Sequence, residues 1–296
     1  MTRHGARFGV RPRFQTLDLD LLSQRVRIEA PEPSWLEALA LGFETPAPDP
    51  PTAPVRLHIR LSPAERPAEH LWWEATADPA DALDDPAMPA PRTPALLVSA
   101  LNLWAVRQTD RHYVFHAGAV TYRGAGVLLP AASLHGKSTL TAALVRRGFE
   151  LLSDEVGAVD LASGALVGYP RALSLRRDVL PLLGLDESAG ASLGDGNARM
   201  VRVGAIGGVR AGDAAELRLV VLPRFLAGSD TRRQRLRPGR AAMGLLEASC
   251  SQGRHKEAGL DFVLDLARRL PCYRLTYSEL DAAVAAVSEL VAGVDP

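Results

Sequence analysis

The residues whose types and spacing could do chemistry fall in one stretch, Tyr113–Asp160. At its centre, Gly136-Lys137-Ser138-Thr139 follows the apolar run Val127–Pro130 and precedes the helical pattern Thr139–Arg147. A strand, a GKS turn and a helix in that order are the setting of a phosphate-binding loop. Backbone N–H groups at the helix N-terminus would face the phosphates, where the partial positive charge of the helix favours an anion. Lys137 would reach the terminal phosphates, and the Ser138 hydroxyl would ligate Mg²⁺. With Ser133, Leu134, His135, Gly136 and Thr139 they form a candidate nucleotide-binding set, and ATP is the expected nucleotide. The loop departs from the usual pattern: Ala131 stands where the first glycine belongs, and Leu134 and His135 fill positions where small residues are common.

The next predicted strand, Phe149–Ser153, ends in Asp154-Glu155. The C-terminal ends of strands are where an open α/β sheet gathers its ligand chemistry. The pair is therefore a candidate for metal ligation and base chemistry. A lone Asp-Glu pair would read as a solvated acidic turn; one strand away from a phosphate loop it reads as chemistry. His116, on the predicted strand Tyr113–Tyr122, titrates near neutrality when unperturbed, so it could bond a transferred phosphate or shuttle its proton. His135 could touch phosphate or face solvent from the loop. Arg176-Arg177 could steady charge on a transferring phosphoryl group or sit in a solvated loop.

Together, His116, the GKST loop, Arg147-Gly148 and Asp154-Glu155 resemble the core of HPr serine kinase/phosphorylase. That family lies in the phosphoenolpyruvate-carboxykinase-like branch of P-loop proteins. The resemblance implies an α/β P-loop kinase core in which Lys137 holds the phosphates, Ser138 and Asp154 serve the Mg²⁺, Glu155 takes the place of the family's proton-accepting Asp, and His116 that of its active-site histidine. Arg237-Pro238-Gly239-Arg240 resembles a late family element and makes Arg240 a further catalytic candidate, although Ala241 stands where that element has Asn. The family's Arg-Gly-Leu-Gly signature, tied to the reverse phosphorolytic reaction, has no counterpart after Tyr169, so a kinase without phosphorylase activity is implied. The ending Leu270-Pro271-Cys272-Tyr273-Arg274-Leu275 resembles HPr-kinase-related kinases of peptide-modification cassettes that contain PqqD-like chaperones. For those the implied substrate is a Ser or Thr of a peptide or small protein, and the wider family implies a homo-oligomer. Two other readings stay open: a regulatory or scaffold module that binds nucleotide without turnover, which Ala131 and Leu134 favour, and a small-molecule kinase.

The elements that must position these residues are legible in outline. The 296 residues are 47% apolar, ample for a sizeable core. Lys+Arg and Asp+Glu both number 34, so no global field points to nucleic acid or a membrane surface. Cys250 and Cys272 make neither a disulfide framework nor a metal cluster and read as buried thiols. With no long apolar stretch and no leader-like start, a cytoplasmic protein is expected. Residues 1–95 read as a small α+β cap and 96–296 as the kinase domain.

In the cap, Arg3–Arg13 is loop-like, and Arg25–Ile28 and Val55–Leu61 alternate as half-buried strands do. Trp35–Phe43 looks helical with Ser34 as its cap, and Pro46–Pro54 and Thr76–Pro94 read as linkers. Trp72 and Trp73 read as packing residues at a strand's end. Pro94–Thr109 has helical spacing, with Trp104 in the core. Gly190–Gly212, rich in glycine, reads as a flexible loop over the site. Leu217–Leu222 reads as a buried strand, and Cys272–Tyr277 as another. Arg232, Arg233, Arg235, Arg237 and Arg240 form a basic run. Ala241–Ser251, Ala258–Arg269 and Ser278–Val291 read as helices, the last opening close to a capping box at Ser278 and Asp281.

Overall fold

The computed structural model describes residues 14–22, 24–44, 54–63, 73–78, 94–131, 135–193 and 197–294. The chain opens with strands β1 (Gln15–Leu21) and β2 (Gln24–Ala30), helix α1 (Pro33–Ala40), and strands β3 (Val55–Pro63) and β4 (Trp73–Asp78), which build a four-stranded sheet in the order β1-β2-β3-β4. Alternation sets its faces. Leu19, Leu21, Val26, Ile28 and Ala30 point inward and are fully buried, while charged residues between them pair across the hairpin. Asp20 faces Arg25 at 2.9 Å, and Asp18 faces Arg27 at 2.8 Å. Opposite charges directly across an antiparallel pair fix register as well as adding stability.

Helix α2 (Pro94–Gln108) leads into the second part. There follow β5 (His112–Tyr122), β6 (Ala125–Pro130), α3 (Lys137–Arg146), β7 (Glu150–Ser153), β8 (Val156–Asp160), β9 (Ala165–Val167), β10 (Leu173–Arg176), β11 (Ala198–Val201), β12 (Val209–Arg210) and β13 (Ala214–Phe225). Then come β14 (Arg232–Arg235), α4 (Pro238–Glu247), α5 (Gln252–Arg269), β15 (Cys272–Tyr277) and α6 (Leu280–Ala292). Nine strands form one mixed sheet, β12-β7-β5-β8-β9-β13-β15-β14, with β6 paired to both β5 and β13; β10 and β11 pair separately. The protein is a mixed α/β structure.

Helices cover both faces of the large sheet. Leu140 and Leu144 of α3 and Val284 and Val287 of α6 pack on one face, with Val127 and Leu129 of β6 beneath them. Ala241 and Leu245 of α4 and Val263 and Leu266 of α5 pack on the other face, against Leu128 and Phe115. Each such leucine, fully buried, contributes about 1.5–3 kcal/mol. A third cluster joins the small sheet, α1 and α2 to the large sheet through Val114, Val156 and Ala158, and Trp104 is buried in it. Helix α3 approaches β5 closely enough that a Cβ on Gly118 would lie 2.2 Å from Thr141 Oγ1, so only glycine fits there.

Several expectations are corrected. Ser34 caps nothing: α1 begins at Pro33, whose fixed φ suits a first helical turn, and Glu32 stands at the cap position without a side-chain bond. Ser278 likewise donates to the Ser229 carbonyl while α6 starts after Glu279. Gly190–Gly212 is not one loop. Buried Met200, Val201, Val203 and Ile206 tie it down through β11 and a 3₁₀ turn, Val203–Ile206. Thr76–Asp78 continues β4, so the second linker starts later than expected. The basic run includes an exposed edge strand, β14, paired to β15. Cys272 is buried as expected, but Cys250 is exposed. Arg3–Arg13, Trp72, the stretch 45–53 and residues 79–93 lie outside the described residues, as do Ser133 and Leu134 of the proposed loop.

Candidate active site

Strand β5 changes partners halfway along its length. His112–His116 pair with β8, whereas Ala117–Tyr122 pair with β6 and, in part, β7. His116 sits at the change. Its backbone N–H donates to the Ala248 carbonyl at 2.7 Å, and its carbonyl accepts from Ala131 N–H at 3.3 Å. The β7–β8 turn, Asp154-Glu155, lies over this opening, with the Glu155 carbonyl accepting from Ala117 N–H at 3.3 Å. Glu155 has φ +71, a left-handed conformation uncommon for a residue with a Cβ. Outliers of this kind cost of order 1–3 kcal/mol and cluster at functional sites.

From the next strand over, β6 delivers the chain to α3. Gly136 stands at the α3 N-cap with φ +83, and no side chain caps the helix. A Cβ on Gly136 would lie 2.3 Å from Tyr277 Oη and 3.3 Å from Phe225 Cβ. Tyr277 Oη donates to the Gly136 carbonyl at 3.2 Å, and Phe225 N–H donates to the His135 carbonyl at 3.2 Å. Burial pushes the Tyr277 phenol up to about 12, which keeps it a donor. The end of the loop is thus held from the β13–β15 side, where glycine alone fits.

These two turns meet. Ser138 Oγ donates to Asp154 Oδ1 at 3.0 Å, and Lys137 Nζ lies 3.5 Å from the same oxygen. Ser174 N–H donates to Asp154 Oδ2 at 3.1 Å. Asp154 is fully buried, while the Glu155 side chain is 34% exposed and lines a cavity of about 570 Å³ with His116, Gly136, Lys137, Ser138 and Thr139. The adjacent carboxylates therefore have different access: Asp154 is enclosed by the loop and the Ser174 amide, and Glu155 meets the cavity. Arg171 Nη2 lies 3.0 Å from Glu155 Oε2. The Nε and Nη1 of Arg171 are buried without hydrogen-bond partners among the described residues. Burial, and then the neighbouring Lys137 ammonium, hold His116 below its ordinary value, so it is a neutral imidazole at neutral pH.

Of the residues singled out in the sequence, His116, Gly136, Lys137, Ser138, Thr139, Asp154 and Glu155 come together. His135 joins through its carbonyl. Arg176 lines the cavity while paired with Asp178, and Arg177 lies 3.9 Å from Glu187. Arg240 is not brought to the cluster. It is exposed in the first turn of α4, the helix on the opposite face of the sheet from α3. Only the far end of α4, Ala248, reaches His116, about 12 Å along the axis at 1.5 Å per residue. Arg171 and the Ser174 amide were missed. Arg171 follows Pro170 in an irregular stretch, and the doublet Arg176-Arg177 was the more conspicuous cation there.

A hydroxyl and a carboxylate 3.0 Å apart at a helix N-terminus, with an ammonium beside them, are the hard oxygen donors and cation that a magnesium-bound polyphosphate requires. Among the described residues, no group of three or more His, Cys, Asp or Glu could hold a metal without such help. None of the described helices is long and apolar enough to cross a membrane. No protein-family model and no curated protein matches the chain. Among solved structures, the chain is similar to the HPr(Ser) kinase/phosphatase from Coxiella burnetii, with 13% identity, a TM-score of 0.30, and coverage of 61% of this chain and 98% of that one.

Proposed function

We propose that the protein is an ATP- and Mg²⁺-dependent phosphotransferase of the P-loop kinase type, with its chemistry carried entirely by residues 96–296. The observation that carries this reading is the convergence of Ser138 Oγ and Lys137 Nζ on Asp154 Oδ1 at an uncapped helix N-terminus. Ser138 and Asp154 would hold the metal, which when bound supplies charge neutralisation on the β- and γ-phosphates. The first-turn amides of α3 would take phosphate oxygens. Lys137, within reach of both Asp154 and the cavity, would pair with the terminal phosphates.

Glu155, exposed to the cavity where Asp154 is not, would accept the proton of the acceptor hydroxyl. Neutral His116, on the same wall, would orient that hydroxyl or bond the transferred group. The sequence resemblance supports a Ser or Thr of a peptide or small protein as acceptor, a PqqD-like chaperone as companion and a homo-oligomeric assembly.

The test is transfer of labelled γ-phosphate from Mg·ATP to Ser- and Thr-containing peptides, including those encoded beside the gene, with Lys137→Ala as control. Label on a Ser or Thr that disappears in Lys137→Ala supports the reading. ATP binding with no transfer to any peptide or small-molecule hydroxyl would favour a nucleotide-binding module.

A further inference from the structure

The cavity is lined by two sets of residues of opposite character. His116 and Glu155 come from β5 and the β7–β8 turn; Phe225, Tyr277 and Leu280 come from β13, β15 and α6, and Leu182 from the 3₁₀ turn Pro181–Leu183. Phe225 is 48% exposed and Leu182 68%, although both line this cavity. Large apolar side chains left open beside an anion site, in a cavity of small-molecule size, mark a ligand wall.

Phe225 is also held in place. Its N–H bonds the His135 carbonyl of the loop, and the next N–H, of Leu226, bonds the Tyr277 carbonyl at 2.8 Å. The Phe225 and Tyr277 rings meet at 74° with centroids 5.9 Å apart. A near-perpendicular contact leaves at least one face of Phe225 free for a planar partner.

We infer that the apolar set seats the base of the nucleoside triphosphate, stacked on Phe225 and flanked by Leu182, while the His116–Glu155 set receives the acceptor. The inference rests on the phosphate-loop reading of Lys137 and Ser138. A planar heteroaromatic base offers a π-face to Phe225, and the loop beside it fixes where its triphosphate must lie. An acceptor's apolar side chain is the competing occupant, and it would leave ATP binding unchanged in Phe225→Ala.

The experiment is calorimetric titration of wild type, Phe225→Ala, Phe225→Trp, Leu182→Ser and Lys137→Ala with Mg·ATP and with magnesium tripolyphosphate, which lacks base and sugar. Loss of base stacking in Phe225→Ala should weaken ATP binding about 5- to 100-fold and leave tripolyphosphate within about twofold. Phe225→Trp should restore ATP affinity, and Leu182→Ser, changed at an exposed site, should weaken ATP alone. Lys137→Ala should weaken both ligands. Equal weakening of both ligands by Phe225→Ala would reduce Phe225 to a brace for the loop and overturn the base site, as would no effect on either. Failure of the wild type to bind either ligand would overturn the phosphate-loop reading itself.

Discussion

The Ser138 hydroxyl donates to Asp154 Oδ1 at 3.0 Å, joining the first turn of a helix to the end of a strand sixteen residues later. A paired hydroxyl and carboxylate could supply two of the six positions of an octahedral Mg²⁺, with water and phosphate filling the rest. Replacing either partner should therefore remove metal dependence as well as activity. For Ser138→Ala and Asp154→Asn, ATP affinity measured with and without Mg²⁺ should become the same, whereas wild type binds more tightly with the metal. A variant that retains the full magnesium effect would show that the metal is held elsewhere.

Arg171 gives a prediction in which stability and activity separate. Its guanidinium is buried with two nitrogens unpartnered among the described residues, a costly arrangement, yet it holds Glu155 at 3.0 Å. Removing one member of an ion pair is costly when the partner's charge stays buried, but the Glu155 carboxylate is one-third exposed and is rehydrated once Arg171 is gone. Arg171→Met should thus keep or raise the unfolding midpoint. The same change should lower kcat by about 100-fold through misplacement of the base, with KM for ATP little altered. Arg171→Lys should recover little of the loss, because an ammonium cannot reproduce the planar contact. A variant with normal kcat would remove Arg171 from the mechanism.

Two histidines set a pH dependence. Burial holds both His112 and His116 below their ordinary value, so the native state resists protons that the unfolded chain binds below about pH 6.5. Stability therefore falls as pH drops through that value, by up to about 1.4 kcal/mol per pH unit for each histidine. Urea midpoints between pH 7.5 and 5.5 should show this slope, and the double variant His112→Asn with His116→Asn should flatten it. An unchanged slope would assign the acid sensitivity to other groups.

Asp160 is a structural counterpart to the site carboxylates. It accepts from the N–H groups of Ala162 at 3.0 Å and Ser163 at 2.9 Å, and from Arg111 Nε at 2.6 Å. The Ser163 amide and then Arg111 hold its carboxyl far below the usual carboxylate range. Asp160→Asn should cost about 2 kcal/mol of stability at neutral pH. The linkage has the same sign as that of the histidines but acts in a lower pH window. The stabilisation is present above the unfolded value of about 3.9 and disappears as pH falls toward the depressed folded value. A variant as stable as wild type at pH 7 would contradict this.

What could be read in the sequence was local. The GKST loop and Asp154-Glu155 each follow a strand within a few residues, so type and spacing were enough to pair them. Arg171 reaches Glu155 only because the chain runs out through β8 and β9 and returns toward β10, a path no short pattern records. The Ser174 amide, a backbone group, carries no sequence signal at all. Arg240 stands apart from the cluster within the chain because Ala241, Ala242 and Leu245 commit α4 to the far face of the sheet, a placement its local motif does not record. Glycine content misled between Gly190 and Gly212, where four buried apolar side chains anchor the backbone regardless.

In the proposed reaction, Glu155 is the proton acceptor of a phosphoryl transfer whose nucleotide is held by Lys137, Ser138 and Asp154. The direct measurement pairs ATP affinity with the rate of γ-phosphate transfer in Glu155→Gln. Affinity should stay within about threefold of wild type, because Glu155 does not hold the loop, and transfer should fall by about 10²–10⁴-fold, the span of general-base catalysis. Transfer at the wild-type rate, or a loss of ATP affinity as large as the loss of rate, would contradict it.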